Sequence, residues 1–370
     1  NKMSTGLVFH ERYLWHHTGN HADYVPYGGL VEPLQHAESP DTKRRIKNLL
    51  EVSGLLNELT RIKPRPATKE EILRFHTKKY FEHIQSLNKT VSVDAGISAP
   101  MGIDSFDIAL LSAGGVIEAF DAVINGTVDN AYALIRPPGH HAMPDMAMGF
   151  CIFGNAAIAG LHALAKTDIQ RIAYVDWDVH HGNGTQTAFY SNPNVLTMSV
   201  HQDRNFPTNT GLIEENGEDE GLGYNINIPL PPGSGVGAYE ATFERVIVPA
   251  LYKFKPELIV VPSGFDGGAN DPVGRQMMTS EGFGSLTRKL MKAAHDLCEG
   301  KIIMTHEGGY SAAAVPFLAH KVIETMAGKD SGIVDPFQNI IGRMGQQLSL
   351  IHISEPTRRY AISYAVFCLK

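Results

Sequence analysis

Apolar and polar positions follow two rhythms along this chain. Short, nearly unbroken apolar runs fall at 131–135, 171–176, 195–200, 258–262 and 301–305, and residues 224–228 alternate. Runs of that length and character predict buried strands. Between them lie stretches of helical period, at 107–124, 154–166, 238–255, 280–298 and 311–327. Upstream, 41–60 predicts a helix with Ser39 or Asp41 as its cap, and 70–86 another. Thr68-Lys69-Glu70-Glu71 has the form of a capping box at the start of that second helix. A short first strand is expected near Leu7, then an irregular loop to about Gln35 holding Pro26, Gly28, Gly29 and Pro33.

Strands alternating with helices predict an α/β fold: a single-domain, mostly parallel open sheet with helices on both faces. Right-handed crossovers would bring the carboxyl ends of the strands to one rim. No Pro/Ser-rich linker interrupts the alternation, so residues 3–347 read as one catalytic domain. From Leu348 to Lys370 the pattern stops, and the segment resembles a translated sequencing adapter, a non-native tail. Asn1-Lys2, ahead of Met3, reads the same way.

Composition narrows the function classes. The 370 residues are 43% hydrophobic and 19% charged, with a formal net charge of −7. That balance disfavours nucleic acid, whose phosphates need a positive field. Lys43-Arg44-Arg45 reads as a solvated helix face, and the acidic run 214–220 as a solvated loop. Three cysteines, Cys151, Cys298 and Cys368, make no disulfide framework and suit a reducing cytoplasm. Neither a signal-peptide pattern nor an apolar run of membrane-spanning length is seen, so no membrane partner is expected. A homo-oligomer is allowed.

The chemistry gathers at strand ends. Asp176, Asp178 and His180 follow the 171–176 run at alternate positions, hence on one face of an extended backbone. Two carboxylates and an imidazole converging in a buried place call for compensation, and a divalent metal supplies it. The plainer reading is that the acids cap the next helix. The other strand ends weigh against it: Arg136 to His141 after 131–135, His201 after 195–200, Ser263 to Asp266 after 258–262, and His306 to Tyr310 after 301–305. Ligands of open α/β sheets bind at such ends.

These residues resemble the histone deacetylase family, in its class II branch and bacterial amidohydrolase members. The resemblance runs from about Gly6 to Gly345. It is carried by Arg136-Pro137-Pro138-Gly139-His140-His141, Gly149-Phe150-Cys151, the stretch from Asp176 to Gly184, Ser199-Val200-His201, Ser263-Gly264-Phe265-Asp266 and Glu307-Gly308-Gly309-Tyr310. It implies an arginase/deacetylase-type fold and zinc-dependent hydrolysis of acyl amides. By the resemblance Asp178, His180 and Asp266 are the zinc ligands, a set that also admits Fe(II). His140 and His141 are the tandem histidines, oriented by Asp176 and Asn183. His141 is expected as general base and then acid, and Tyr310 as the oxyanion donor. Phe150 and Phe206 match the tunnel walls, with Gly149, Gly308 and Gly309 giving close backbone approach. Structural potassium is implied at Asp176, Asp178, His180, Ser199 and Val200, and again at Phe189, Asn192, Val195 and Tyr224.

Three rivals bear on the outcome. A two-manganese ureohydrolase would need bridging carboxylates where this chain has Gly182 and Gly268. An inactive acyl-lysine-binding module would not need every catalytic group. An acetylpolyamine deacetylase would share the machinery and differ at the rim. In the family's polyamine-selective branch a Glu stands at the place of Val273. An apolar Val273 therefore favours acyl-lysine peptides, or other extended acylated amines, as substrate.

Overall fold

The computed structural model describes residues 3–344. The non-native tail expected at 348–370 lies outside the described residues. Eight strands, all paired in parallel, form the central sheet. Across the sheet they run Asn225–Leu230, Val195–Gln202, Ile172–Asp176, Leu258–Ser263, Ile302–His306, Asn130–Ala133, Thr5–Val8 and Thr60–Ile62.

The apolar runs are unbroken because both faces of the sheet are covered. Ala173 and Val175 enter one core with Trp177, Phe243 and Phe283, against helices Ser280–Cys298 and Val315–Met326. Ile172 and Tyr174 enter the other, against Ser105–Ile124 and Asn155–Lys166. From Ile172–Asp176 the chain works outward to one edge. It returns as Leu258–Ser263 beside that strand, then continues the opposite way. These two neighbours flank the switch point, where a crevice opens past the strand ends.

Several element boundaries differ from expectation. The 41–60 helix ends at Val52, where Gly54 turns left-handed at φ +79°. A 3-10 turn and the edge strand Thr60–Ile62 follow. The 70–86 helix is two helices, Lys69–Ile72 and Lys78–Ser86. The capping box is present at the first, and Thr77 caps the second by accepting the N–H of Tyr80. The break has a tertiary cause: His76 Nε2 accepts the N–H of Gly154 at 2.9 Å. The 238–255 helix has a π segment at Phe243–Ile247. The loop before Gln35 contains three short antiparallel strands.

The charged runs also differ. Lys43 is not on a solvated face. It is 1% exposed, with Nζ 2.6 Å from Glu38 Oε1. Arg136, fully buried, places Nε 3.0 Å from the same oxygen. In the acidic run, Glu215 Oε2 accepts the N–H of Gly211 and the side-chain amides of Gln186 and Asn227. No helix among the described residues is long and apolar enough to cross a membrane.

Candidate metal and catalytic centre

Asp178 and His180 lie in the loop just past the Ile172–Asp176 strand, and Asp266 just past Leu258–Ser263. Parallel pairing of those strands brings the loops together. One ligand atom from each of the three residues lies within 4.8 Å of the others. His180 Nδ1 stands 3.1 Å from Asp178 Oδ1 and 3.0 Å from Asp266 Oδ2. Both carboxylates are 0% exposed, and no Lys or Arg pairs with either among the described residues.

Backbone donors set the carboxylates. Gly308 N–H donates to Asp178 Oδ2 at 2.8 Å, and Val179 N–H to Asp266 Oδ1 at 2.8 Å. A Cβ on residue 308 would stand 2.1 Å from Asp266 Oδ2, so only glycine lets the chain pass there. Burial, and then the Asp178 charge, push the Asp266 carboxyl up to about 7. Burial lowers His180, but Asp266 and Asp178 more than reverse that and raise it to about 10. The site is short of positive charge. A divalent ion held by these three residues would supply it, with the imidazole then a neutral ligand. Three protein ligands leave a position free for a reacting molecule.

Beside this cluster sit the two histidines. His140 Nδ1 is 2.8 Å from Asp176 Oδ2, and His141 Nδ1 is 2.7 Å from Asn183 Oδ1. Their rings are 4.0 Å apart between centroids. Burial opposes charge on His140, yet Asp178 and Asp176 hold its pKa well above the usual range. Burial, His140 and His180 together push His141 well below it.

A cavity of about 130 Å³ opens over these groups. Phe150, Phe206, His141, His180, Tyr310 and Val273 line it, joined by Gly149. Phe206 meets the His141 ring edge-on at 5.0 Å, and Phe150 meets Tyr310 at 5.7 Å. Phe150 has a left-handed backbone, φ +68°, held by its N–H to Ser98 O at 2.7 Å. A bulky residue adopts that conformation at a cost, which the hydrogen bond to the Ser98 carbonyl offsets here. Gly308 and Gly309 run past the foot of this site, Gly309 at φ +114°.

The other expected positions fall into two groups. Ser199 pairs in register with Asp176, and its hydroxyl meets His201 Nδ1 at 2.8 Å; Val200 is buried next to it. Phe189, Asn192 and Val195 are linked by two successive turns, Asn192 N–H donating to Phe189 O and Val195 N–H to Asn192 O, and Tyr224 O accepts the N–H of Thr197 on the adjoining strand. Gly182 and Gly268 bring no bridging carboxylate, and Gly182 packs against Asp176.

Five residues went unassigned in the sequence. Glu307 Oε2 accepts the N–H groups of Gly139 and His140 at 2.8 and 3.1 Å, cradling the histidine turn. Asp271 accepts the N–H of Tyr310. Ser98 and Asn205 complete the cavity lining, as does Tyr24. Glu307 and Asp271 act on backbone groups distant in sequence. The only local signal was an Asx turn at Asp271-Pro272-Val273.

The histone deacetylase domain model matches residues 36–326. The chain is 47% identical to a histone deacetylase-like amidohydrolase of Pseudomonas aeruginosa over 340 residues, 91% of this chain and 90% of that one. It is 37% identical to a probable deacetylase of Archaeoglobus fulgidus, covering 90% of this chain and 89% of that one. A crystal structure of the HDA15 HD domain matches with a TM-score of 0.81 at 31% identity, over 99% of each chain.

Proposed function

The chain belongs to the histone deacetylase family, and on that premise we propose a zinc-dependent amidohydrolase that removes acyl groups from acyl-lysine-like amides. The observation that carries the reading is the buried Asp178–His180–Asp266 cluster facing the His140–His141 pair at one cavity. Zinc held by those three residues would supply Lewis-acid activation of water and carbonyl, and Fe(II) fits the same donors.

The chain's own groups supply the rest. His141, neutral by its surroundings, takes the proton of the attacking water and returns it to the leaving amine. Asp176 keeps His140 oriented beside the place where negative charge develops on the substrate. Asn183 fixes the His141 ring. Tyr310 donates its hydroxyl proton in a hydrogen bond to the carbonyl oxygen as that oxygen gains charge. Phe150 and Phe206 hold an extended, uncharged acyl-amide arm and exclude water. Potassium at the Asp176–Val200 and Phe189–Tyr224 positions belongs to the same reading, as does a cytoplasmic location.

Substrate choice follows from the rim. No carboxylate is among the residues lining the cavity, and Val273 stands where a distal ammonium would need one. An acyl-lysine peptide is therefore preferred to an acetylpolyamine. The test compares kcat/KM for a fluorogenic acetyl-lysine peptide and N8-acetylspermidine on the zinc-loaded enzyme. A polyamine advantage of about tenfold, about 1.4 kcal/mol in transition-state binding, overturns the preference. No turnover of any acylated amine overturns the activity itself.

A further inference from the structure

The tyrosine read above as oxyanion donor is poorly held by its own chain segment. Tyr310 follows Gly308 and Gly309, and the next helix begins only at Val315. Glycine backbone is the freest there is. Something else must hold Tyr310 if its hydroxyl is to meet a developing oxyanion at hydrogen-bond distance.

The tether is a carboxylate from another loop. Asp271 Oδ2 accepts the backbone N–H of Tyr310 at 2.8 Å. Asp271 Oδ1 accepts the N–H of Val273 at 2.8 Å and of Gly274 at 3.0 Å. The side chain is 9% exposed, and no basic side chain pairs with it among the described residues. Three N–H dipoles hold this buried carboxylate. The turn that carries it is anchored in its own right: Asp271 N–H donates to Gly268 O, and Ala269 N–H to Met278 O. One carboxylate thus joins the Tyr310 backbone to the turn bearing Val273, and both of those residues line the cavity.

We propose that Asp271 is a positioning residue, fixing where the Tyr310 hydroxyl stands relative to the cavity; this rests on the reading of Tyr310 as the oxyanion donor. Asp271→Asn replaces one acceptor oxygen by an NH₂ group. That group must face either the N–H of Tyr310 or those of the turn, donor against donor. A displacement near 1 Å at a catalytic group can cost about 10²-fold. On the zinc-loaded enzyme with an acetyl-lysine peptide, Asp271→Asn should lower kcat by about 10- to 100-fold. KM and metal stoichiometry should stay within about twofold, as for an interaction made mainly in the transition state.

A double-mutant cycle separates positioning from general damage. In a Tyr310→Phe background no hydroxyl is left to position, so adding Asp271→Asn should change kcat by less than about twofold. Additive losses, or an unchanged kcat in Asp271→Asn alone, overturn the proposal. Near-normal turnover by Tyr310→Phe alone sinks the oxyanion-donor reading instead, and this inference with it. Should Asp271→Asn not fold, the cycle is run with Asp271→Glu, which keeps the charge and shifts it by a methylene. The expectation is the same with a smaller loss, and additivity there is equally fatal.

Discussion

Two buried charged centres lie close together in this protein and solve opposite problems. Glu38, Lys43 and Arg136 form a triad in which the chain supplies both signs. Burial alone would raise the Glu38 carboxyl, but Arg136 and then Lys43 hold it well below the usual range. Arg136 also donates to Glu38 O at 2.8 Å and Tyr13 O at 3.2 Å, and to His16 O. Asp178, His180 and Asp266 are also buried, and no Lys or Arg pairs with them among the described residues. A centre balanced from within ties elements together. A centre left short of positive charge is one that an ion from outside would balance.

Removing a carboxylate from the unbalanced centre should have the largest effect. Asp266→Ala is expected to lose both stoichiometric metal, by elemental analysis, and turnover. Full metal occupancy in that variant would show that the centre does not depend on it. The balanced centre should answer in stability. Glu38→Gln leaves two buried cations without their anion and is expected to cost about 3–5 kcal/mol in denaturant unfolding. Unchanged stability would mean that the triad is not what holds these elements.

Acid sharpens the contrast. Folded Glu38 keeps its charge well below the ordinary carboxylate range, while the unfolded chain takes up a proton near pH 4.3. Its contribution is complete above that range and is lost as pH falls toward the folded value. The stability gap between the native protein and Glu38→Gln should therefore shrink as pH drops below about 4.3. A gap constant with pH would contradict a charged Glu38.

The smallest effect tests whether the two centres sense each other. Lys43 lies within electrostatic reach of Asp266, and its positive charge opposes a dication bound there. Lys43→Met is expected to tighten metal binding by about fivefold in chelator competition, on the order of 1 kcal/mol. Weaker binding would reverse the sign and make Lys43 a support of the site.

Part of the unbalanced centre was legible because Asp178 and His180 are close in sequence, while Asp266 was named as a ligand only through the family resemblance. Asp176 ends a buried strand, and Asp178 and His180 follow in the bend beyond it, gathered by Asp178 N–H donating to Asp176 Oδ1 and His180 N–H to Asp178 Oδ1 rather than by extended backbone. The balanced centre was misread. Lys43 lies in a basic run on a helix, and helical period marks a face without saying what covers it. Its partner Glu38 is near in sequence, but Arg136 arrives from 98 residues away. Glu307 and Asp271 escaped for a related reason, since each binds backbone N–H groups that carry no residue code.

By itself, then, the order of apolar runs and polar strand ends determined the parallel sheet, its two covered faces and the rim where the reactive groups gather. Covered strands must be apolar on both sides, and parallel strands share one carboxyl end. Tertiary structure alone decided the contacts by which Asp266 meets His180 and Val179, that Lys43 is interior, and that Asp271 holds Tyr310. Those contacts depend on strand order at the switch point and on loops packed against one another. Their energies come from the low dielectric and fixed dipoles of a closed interior, which exists only once the chain has folded.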